Sequence, residues 1–130
     1  QRQMCIRDRF EIEYGVSVLH GWGMTEMSPI GATSSLNASM RAKPIKEQID
    51  LKTYQGRRMY TVDWRIVDEN GIALPHDGES FGELQVKGHG VMNGYHEDEE
   101  ASSSSMTKDG WLKTGDKAKI TVDGFLILDM

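Results

Sequence analysis

The sequence has one cysteine, Cys5, so neither a disulfide framework nor a cysteine-based zinc site can be built from it. A reducing, cytoplasmic setting is the expectation. Basic charge is not in excess: the formal net charge is −5, ordinary for a soluble protein, which argues against a nucleic-acid or membrane-surface footprint. No apolar run approaches the roughly 18 residues that a membrane-spanning helix needs. The first nine residues, Gln1 to Arg9, carry charge without an apolar core of signal-peptide length. No internal repeat is visible at any period. What is present is 130 residues, enough for one modest domain with a core of its own.

The most informative stretch is His20-Gly21-Trp22-Gly23-Met24-Thr25-Glu26, entered from the apolar run Val16-Ser17-Val18-Leu19 and left through Met27-Ser28-Pro29-Ile30-Gly31. The run predicts a buried strand over residues 16–20 that delivers an aromatic ring, a hydroxyl and a carboxylate to one loop. Gly21 and Gly23 let backbone come close to a ligand. Trp22 offers a flat π-face for a base, worth about 1–3 kcal/mol where such stacking is measured. Thr25 offers a hydroxyl at phosphate reach, and Glu26 a hard oxygen of the kind Mg²⁺ accepts. A plainer reading stands beside this one: Trp22 as a ring packed at a strand end, Glu26 as a first-turn carboxylate of a helix.

Residues 1–9 are left unassigned, with a foreign origin as one reading of Met4–Arg9. A helix running through Phe10, Ile12 and Tyr14 is expected to stop at Gly15 in a left-handed cap. Residues 31–55 read as a polar surface excursion containing a short helix around Ile45–Tyr54, with Ile45, Ile49 and Leu51 inward and Arg41, Lys43 and Lys46 on a solvated face. From Gly56 the pattern has period two: Val62, Trp64 and Ile66 alternate with Asp63 and Arg65, the pattern of a half-buried strand. Asn70-Gly71 predicts a tight turn. Gly82–Gly88 is a second alternating strand. Glu97–Ser105 reads as a solvated loop or a short polar helix. The chain closes in a hairpin, Ala118–Val122 and Phe125–Asp129, around Asp123-Gly124.

Thr114-Gly115-Asp116 is placed at the mouth of that hairpin. Acidic residues at strand ends accept hydrogen bonds from paired ribose hydroxyls in dinucleotide folds. Capping of a turn is the alternative fate of Asp116. The four histidines, His20, His76, His89 and His96, read as structural or surface groups.

Taken in order, the Trp-Gly-Met-Thr-Glu loop, Gly82-Glu83-Leu84-Gln85-Val86-Lys87-Gly88, Gly94-Tyr95, Asp109-Gly110-Trp111-Leu112-Lys113-Thr114-Gly115-Asp116 and Asp123-Gly124-Phe125-Leu126-Ile127-Leu128-Asp129 resemble acyl-CoA synthetases of the adenylate-forming superfamily. The likeness is greatest to medium-chain and long-chain fatty-acid–CoA ligases, and it extends from Phe10 to Asp129.

The resemblance implies an α/β fold: a piece of the large N-terminal domain of such an enzyme, an α/β layer edge followed by a mainly antiparallel β subdomain. Its divisions would be 10–55, the end of the α/β subdomain with the adenine and Mg²⁺ loop, and 56–130, a β-rich subdomain ending at a hinge, with the C-terminal domain outside the chain. The resemblance also implies roles. Trp22 packs on adenine, with the backbone of His20 and Gly21 beside it. Thr25 contacts the α-phosphate and the acyl carboxylate, and Glu26 holds Mg²⁺. Gly23 and Met24 line the acyl pocket. Asp116 binds the ribose, Ile127 lies against the nucleoside, and Asp129 marks the hinge. ATP, Mg²⁺, coenzyme A and a small carboxylic acid follow as ligands, with a homodimer as the candidate assembly.

The chain also departs from the family pattern. The phosphate loop rich in Gly, Ser and Thr would lie before Gln1, and the C-terminal lysine that assists adenylation after Met130. Met130 stands where the family has arginine. Gly56-Arg57-Arg58 replaces Gly-Arg-Pro, which removes a fixed φ, and Thr61 stands where a glycine is expected. The expectation is therefore a piece of a fatty-acid–CoA ligase, inactive alone. Two other readings remain open: a ligase for another acid (methylmercaptopropionate or an aryl acid), and a nucleotide-binding module without catalysis.

Overall fold

The protein is described by a computed structural model covering residues 2–129. Gln1 and Met130, the latter standing at the family's arginine position, lie outside the described residues.

Helix α1, Arg2–Tyr14, ends at Gly15, which takes the left-handed conformation at φ 64° expected of its cap. Residues 15–20 are not the predicted strand. Their donors go elsewhere: the Val16 N–H to the Phe10 carbonyl at 3.1 Å, the Val18 N–H to Glu11 Oε1 at 3.0 Å and the His20 N–H to Ser34 Oγ at 2.7 Å. The segment meets the residue after β2 only at its end, where the His20 carbonyl accepts the Ser34 N–H at 2.8 Å. Val16 and Leu19 are exposed rather than buried.

Strand β1, Gly21–Gly23, is followed by a single 3-10 turn, Thr25–Met27, and by β2, Ile30–Thr33. Residues 31–33 thus belong to a strand rather than a surface excursion, and Ala32 is fully buried. Two short helices follow, α2 (Ala38–Arg41) and α3 (Ile45–Leu51). The Asn37 side chain caps α2 by accepting the Met40 N–H at 2.9 Å. Ile49 points inward as expected and Leu51 packs on Leu36, Met40 and Phe125, but Ile45 is 55% exposed. Arg41, Lys43 and Lys46 are solvated.

The remaining strands are β3 (Gly56–Arg58), β4 (Asp63–Val67), β5 (Gly82–Lys87), β6 (Leu112–Ile120) and β7 (Phe125–Leu128), with a short polar helix, α4 (Glu99–Ser105), before β6. All seven strands form one antiparallel sheet in the order β1-β2-β3-β7-β6-β5-β4. Arg58, where the resemblance led to an expected proline, shapes the turn from β3 to β4. Arg58 donates to the Val62 carbonyl and pairs with Asp63, while the Thr61 carbonyl accepts the Gly90 N–H.

Alternation sets the core. Val62, Trp64 and Ile66 from β4 and its approach, Leu84 and Val86 from β5, and Leu112, Ala118 and Ile120 from β6 share one buried face. Met27 joins this cluster from the turn after β1. The outer edge of β4 is partly covered by the Asn70-Gly71 turn and the residues after it, where the Leu74 N–H donates to the Ile66 carbonyl at 2.8 Å.

Candidate functional site

The turn after β1 is built so that one residue anchors and its neighbours face out. Met27 is 1% exposed and fixes the turn in the core. Its N–H closes on the Met24 carbonyl at 2.9 Å, and the Ser28 N–H on the Thr25 carbonyl at 3.1 Å. Thr25 is exposed, and Glu26 is half-buried beside it. Trp22, also half-buried, lies over Gly31, where an added Cβ would stand 2.8 Å from the indole ring and 2.8 Å from the Met27 sulfur. The glycine is therefore what lets the indole ring and the Met27 sulfur come this close to β2. Trp22 and Met24 both pack on the main core. The ring is thus packed, as the plainer reading had it, while the turn beyond it presents a hydroxyl and a carboxylate together.

Glu26 is held from a distant part of the chain. The Tyr95 phenol donates to Glu26 Oε1 at 2.8 Å, and the Met92 N–H donates to the Glu26 carbonyl at 2.8 Å. The hydrogen bond to the carboxylate raises the Tyr95 pKa above its usual value of 10.0, so the phenol stays a donor at neutral pH. Tyr95 carried no weight in the sequence beyond its place in Gly94-Tyr95. No local pattern links two residues 69 positions apart.

Asp116 lies within a strand rather than at a hairpin mouth, because β6 begins at Leu112. The ladder shows why it is nonetheless presented outward. Glu83 pairs with Lys117 and Gln85 with Lys113, so Thr114, Gly115 and Asp116 all stand opposite Leu84 alone. This is a bulge, which re-aims a side chain. The Thr114 hydroxyl spans it, donating to the Leu84 carbonyl at 2.8 Å and accepting the Asp116 N–H at 3.2 Å. Gly115 takes φ 81°, which favours glycine.

Asp116 lines an open groove of about 740 Å³ with Glu83, Lys113, Lys117, Phe81 and Asp68. None of residues 20–26 lines that groove. Ile127 and Asp129 belong to the Asp116 end instead. Ile127 pairs with Lys119, and the Asp129 N–H donates to the Lys117 carbonyl at 2.9 Å, one residue from Asp116. The structure places His20, Gly21, Trp22, Gly23, Met24, Thr25 and Glu26 along β1 and the turn that follows it, and Asp116, Ile127 and Asp129 along β6 and the end of β7.

The residues fit Mg²⁺ in one specific way. Among the described residues no three His, Cys, Asp or Glu side chains cluster, so no all-protein cage exists. Mg²⁺ is commonly held by one or two carboxylates together with substrate phosphates, and Glu26 is a single hard-oxygen donor of that kind. His76, His89 and His96 are exposed and His20 is half-buried with its backbone tied to Ser34.

Two charged arrangements were not legible in the sequence. Lys52 Nζ meets both oxygens of Glu11 at 2.9 and 3.1 Å and Ser17 Oγ at 3.2 Å, with side chains 8% and 5% exposed for the Lys–Glu pair. The other surrounds Trp111, with Arg65 4.5 Å above its ring and paired to Asp109 at 2.9 Å. Neither pair is close in sequence.

Comparison with known proteins gives one consistent answer. A model of the family described as AMP-binding enzyme matches residues 5–96. A 3-methylmercaptopropionyl-CoA ligase from Ruegeria lacuscaerulensis is 41% identical over 119 residues, covering 92% of this chain and 22% of that protein. A medium-chain-fatty-acid–CoA ligase from Ectopseudomonas oleovorans is 43% identical over 115 residues, covering 88% of this chain and 20% of that protein. Apo MatB from Rhodopseudomonas palustris superposes with a TM-score of 0.75 at 25% identity, over 96% of this chain and 22% of that one. The o-succinylbenzoate CoA synthetase MenE from Bacillus subtilis, in complex with its acyl-adenylate intermediate, gives 0.74 at 25% identity, over 97% of this chain and 30% of that one. The chain spans about a fifth of the length of the curated relatives it matches.

Proposed function

The chain belongs to the AMP-binding enzyme family, and from that premise we propose that it is part of an ATP-dependent acid–thiol ligase. The whole enzyme activates a carboxylic acid as an acyl-adenylate with release of pyrophosphate, then transfers the acyl group to coenzyme A. The observation that carries this reading is the turn after β1, where the buried Met27 fixes an exposed hydroxyl and a held carboxylate side by side.

Adenylation needs positioning and charge neutralisation rather than a covalent nucleophile on the protein. Trp22 places adenine, with the backbone of His20 and Gly21 beside it. Thr25 donates to the α-phosphate and orients the attacking carboxylate. Glu26 holds Mg²⁺, which when bound neutralises phosphate charge. Gly23 and Met24 border the acyl group. Asp116, presented by its bulge, accepts from the ribose hydroxyls, with Ile127 against the nucleoside and Asp129 at the hinge. In this reading residues 10–55 end an α/β subdomain and 56–130 form a β-rich one. The two loci are joined by the bound nucleotide, and the whole enzyme is a cytoplasmic homodimer.

A fatty acid is the first candidate substrate. A short sulfur-containing acid is the second, favoured by the 41% identity to a 3-methylmercaptopropionyl-CoA ligase. The test uses the complete protein and measures acid-dependent pyrophosphate release with octanoate, 3-methylmercaptopropionate and benzoate. Release with one of these, reduced at least about tenfold by Thr25→Val and by Asp116→Asn, is expected. Absence of release with every acid would overturn the ligase reading in favour of a nucleotide-binding module. Acyl-CoA formation from ATP and octanoate by the 130-residue chain alone would overturn the claim that it is inactive by itself.

A further inference from the structure

Glu26 sits on a glycine-flanked surface turn, where a carboxylate ordinarily samples several rotamers. Here it does not stand alone. Tyr95 grips Oε1 at 2.8 Å, while Oε2 has no hydrogen-bond partner among the described residues. Tyr95 is itself secured. Its N–H donates to Ser102 Oγ at 2.7 Å, and that hydroxyl donates to the Asp98 carbonyl at 2.6 Å. Asp98 in turn caps α4, accepting the Ala101 N–H at 2.9 Å. A second bond, from the Met92 N–H to the Glu26 carbonyl, fixes the backbone of the same residue. The segment from β5 to α4 thus reaches back across the molecule and ends on one carboxylate oxygen.

We propose that Tyr95 is a positioning residue for Glu26, holding one carboxylate oxygen so that the other faces a divalent cation. The inference rests on the reading of Glu26 as the cation ligand. Hydrogen-bond partners of metal-binding groups orient them, and their loss typically costs about 10- to 100-fold in metal affinity. A latch that only tied the segment after β5 to the turn would change stability and leave cation binding alone.

The test is ATP binding by the complete protein without acid substrate, by titration calorimetry, with Mg²⁺ and with EDTA. The quantity read is the ratio of the two affinities. Glu26→Gln is expected to abolish the gain from Mg²⁺. Tyr95→Phe is expected to cut it by about tenfold or more while leaving the affinity in EDTA unchanged, and to add nothing in the Glu26→Gln background. If Glu26→Gln removes the gain but Tyr95→Phe keeps it, the inference fails and the reading of Glu26 stands. If Glu26→Gln keeps the gain, that reading fails and the inference with it. Should Tyr95→Phe not fold, Ser102→Ala leaves the phenol intact and frees the Tyr95 N–H. It must lower the same ratio, and an unchanged ratio overturns the proposal.

Discussion

Asp109 shows what a single residue can do when its partners come from elsewhere in the chain. Its carboxylate accepts the Thr107 hydroxyl at 2.7 Å and pairs with Arg65, whose guanidinium also covers Trp111 and donates to Gln85 at 2.8 Å. The Thr107 hydrogen bond first, and Arg65 second, lower its pKa from 3.8 to about 2. A depressed carboxylate contributes stability above its unfolded pKa of about 3.9 and loses it as pH falls through the folded value. The complete protein is therefore expected to lose urea resistance between about pH 4 and pH 2, and Asp109→Asn to flatten part of that loss. An identical acid profile in the variant would show that the carboxylate adds nothing to the fold. Asp77, lowered to about 2 by the backbone N–H groups of Ser80 and Glu79, accounts for some of the remainder. The residues legible in sequence were those adjacent in sequence. Trp22, Thr25 and Glu26 fall within five positions and so could be read together as a candidate site, whereas Glu11–Lys52, Arg65–Asp109 and Glu26–Tyr95 are joined only by folding.

Among the elements, period-two alternation was a reliable guide for β4 and β5, whose apolar residues enter the main core, and the Asp123-Gly124 turn between two apolar runs was the guide for β7. The apolar, β-branched run at residues 16–20 misled: Val16, Val18 and His20 give their N–H groups to the Phe10 carbonyl, Glu11 and Ser34. Alternation also concealed the extent of β6, since the bulge at Thr114–Asp116 interrupts the pattern in mid-strand. Two glycines on the β5–β6 ladder serve different ends, and substitution separates them. An added Cβ at Gly115 meets nothing within 4 Å, so Gly115→Ala costs only the strain of φ 81°, about 1–2 kcal/mol. Gly115→Asn should cost less, because asparagine tolerates that region. At Gly82 the Cβ would fall 2.4 Å from the Val67 carbonyl oxygen and 2.7 Å from Leu74 Cδ1, which forces β5 away from β4. Gly82→Ala should therefore cost about 3 kcal/mol or more. Urea denaturation of the three variants checks the ranking. A Gly115→Asn variant as unstable as Gly82→Ala would mean that the bulge is packed against something.

At the scale of the molecule, stability is unevenly shared. The main core joins β4, β5 and β6 to the turn that carries Thr25 and Glu26, so the first site locus rests on the best-packed part of the chain. Helix α1 is attached differently. The hydrogen bonds and ion pair that its described side chains make to the rest are Glu11 to Lys52 and the Val18 N–H, and Arg7 Nη1 to the Lys52 carbonyl at 3.0 Å. Ile6 and Phe10, 56% and 47% exposed, line an apolar hollow of about 460 Å³ with Val16 and Val18. An isolated helix of 13 residues is marginal in water, and from Ile6 to Tyr14 its apolar side chains, Ile6, Phe10, Ile12 and Tyr14, are exposed. The 130-residue chain, produced alone, is thus expected to show graded hydrogen exchange. Amides of β5 and β6, each paired on both sides, should exchange slowest, and those of α1 and residues 15–20 fastest. The exposed apolar face should also bind a hydrophobic dye and promote self-association. If the complete protein covers this hollow, the same α1 amides should slow markedly there. Uniform strong protection in the isolated chain would contradict this division, and would mean that the two polar links to Lys52 suffice to hold α1 in place.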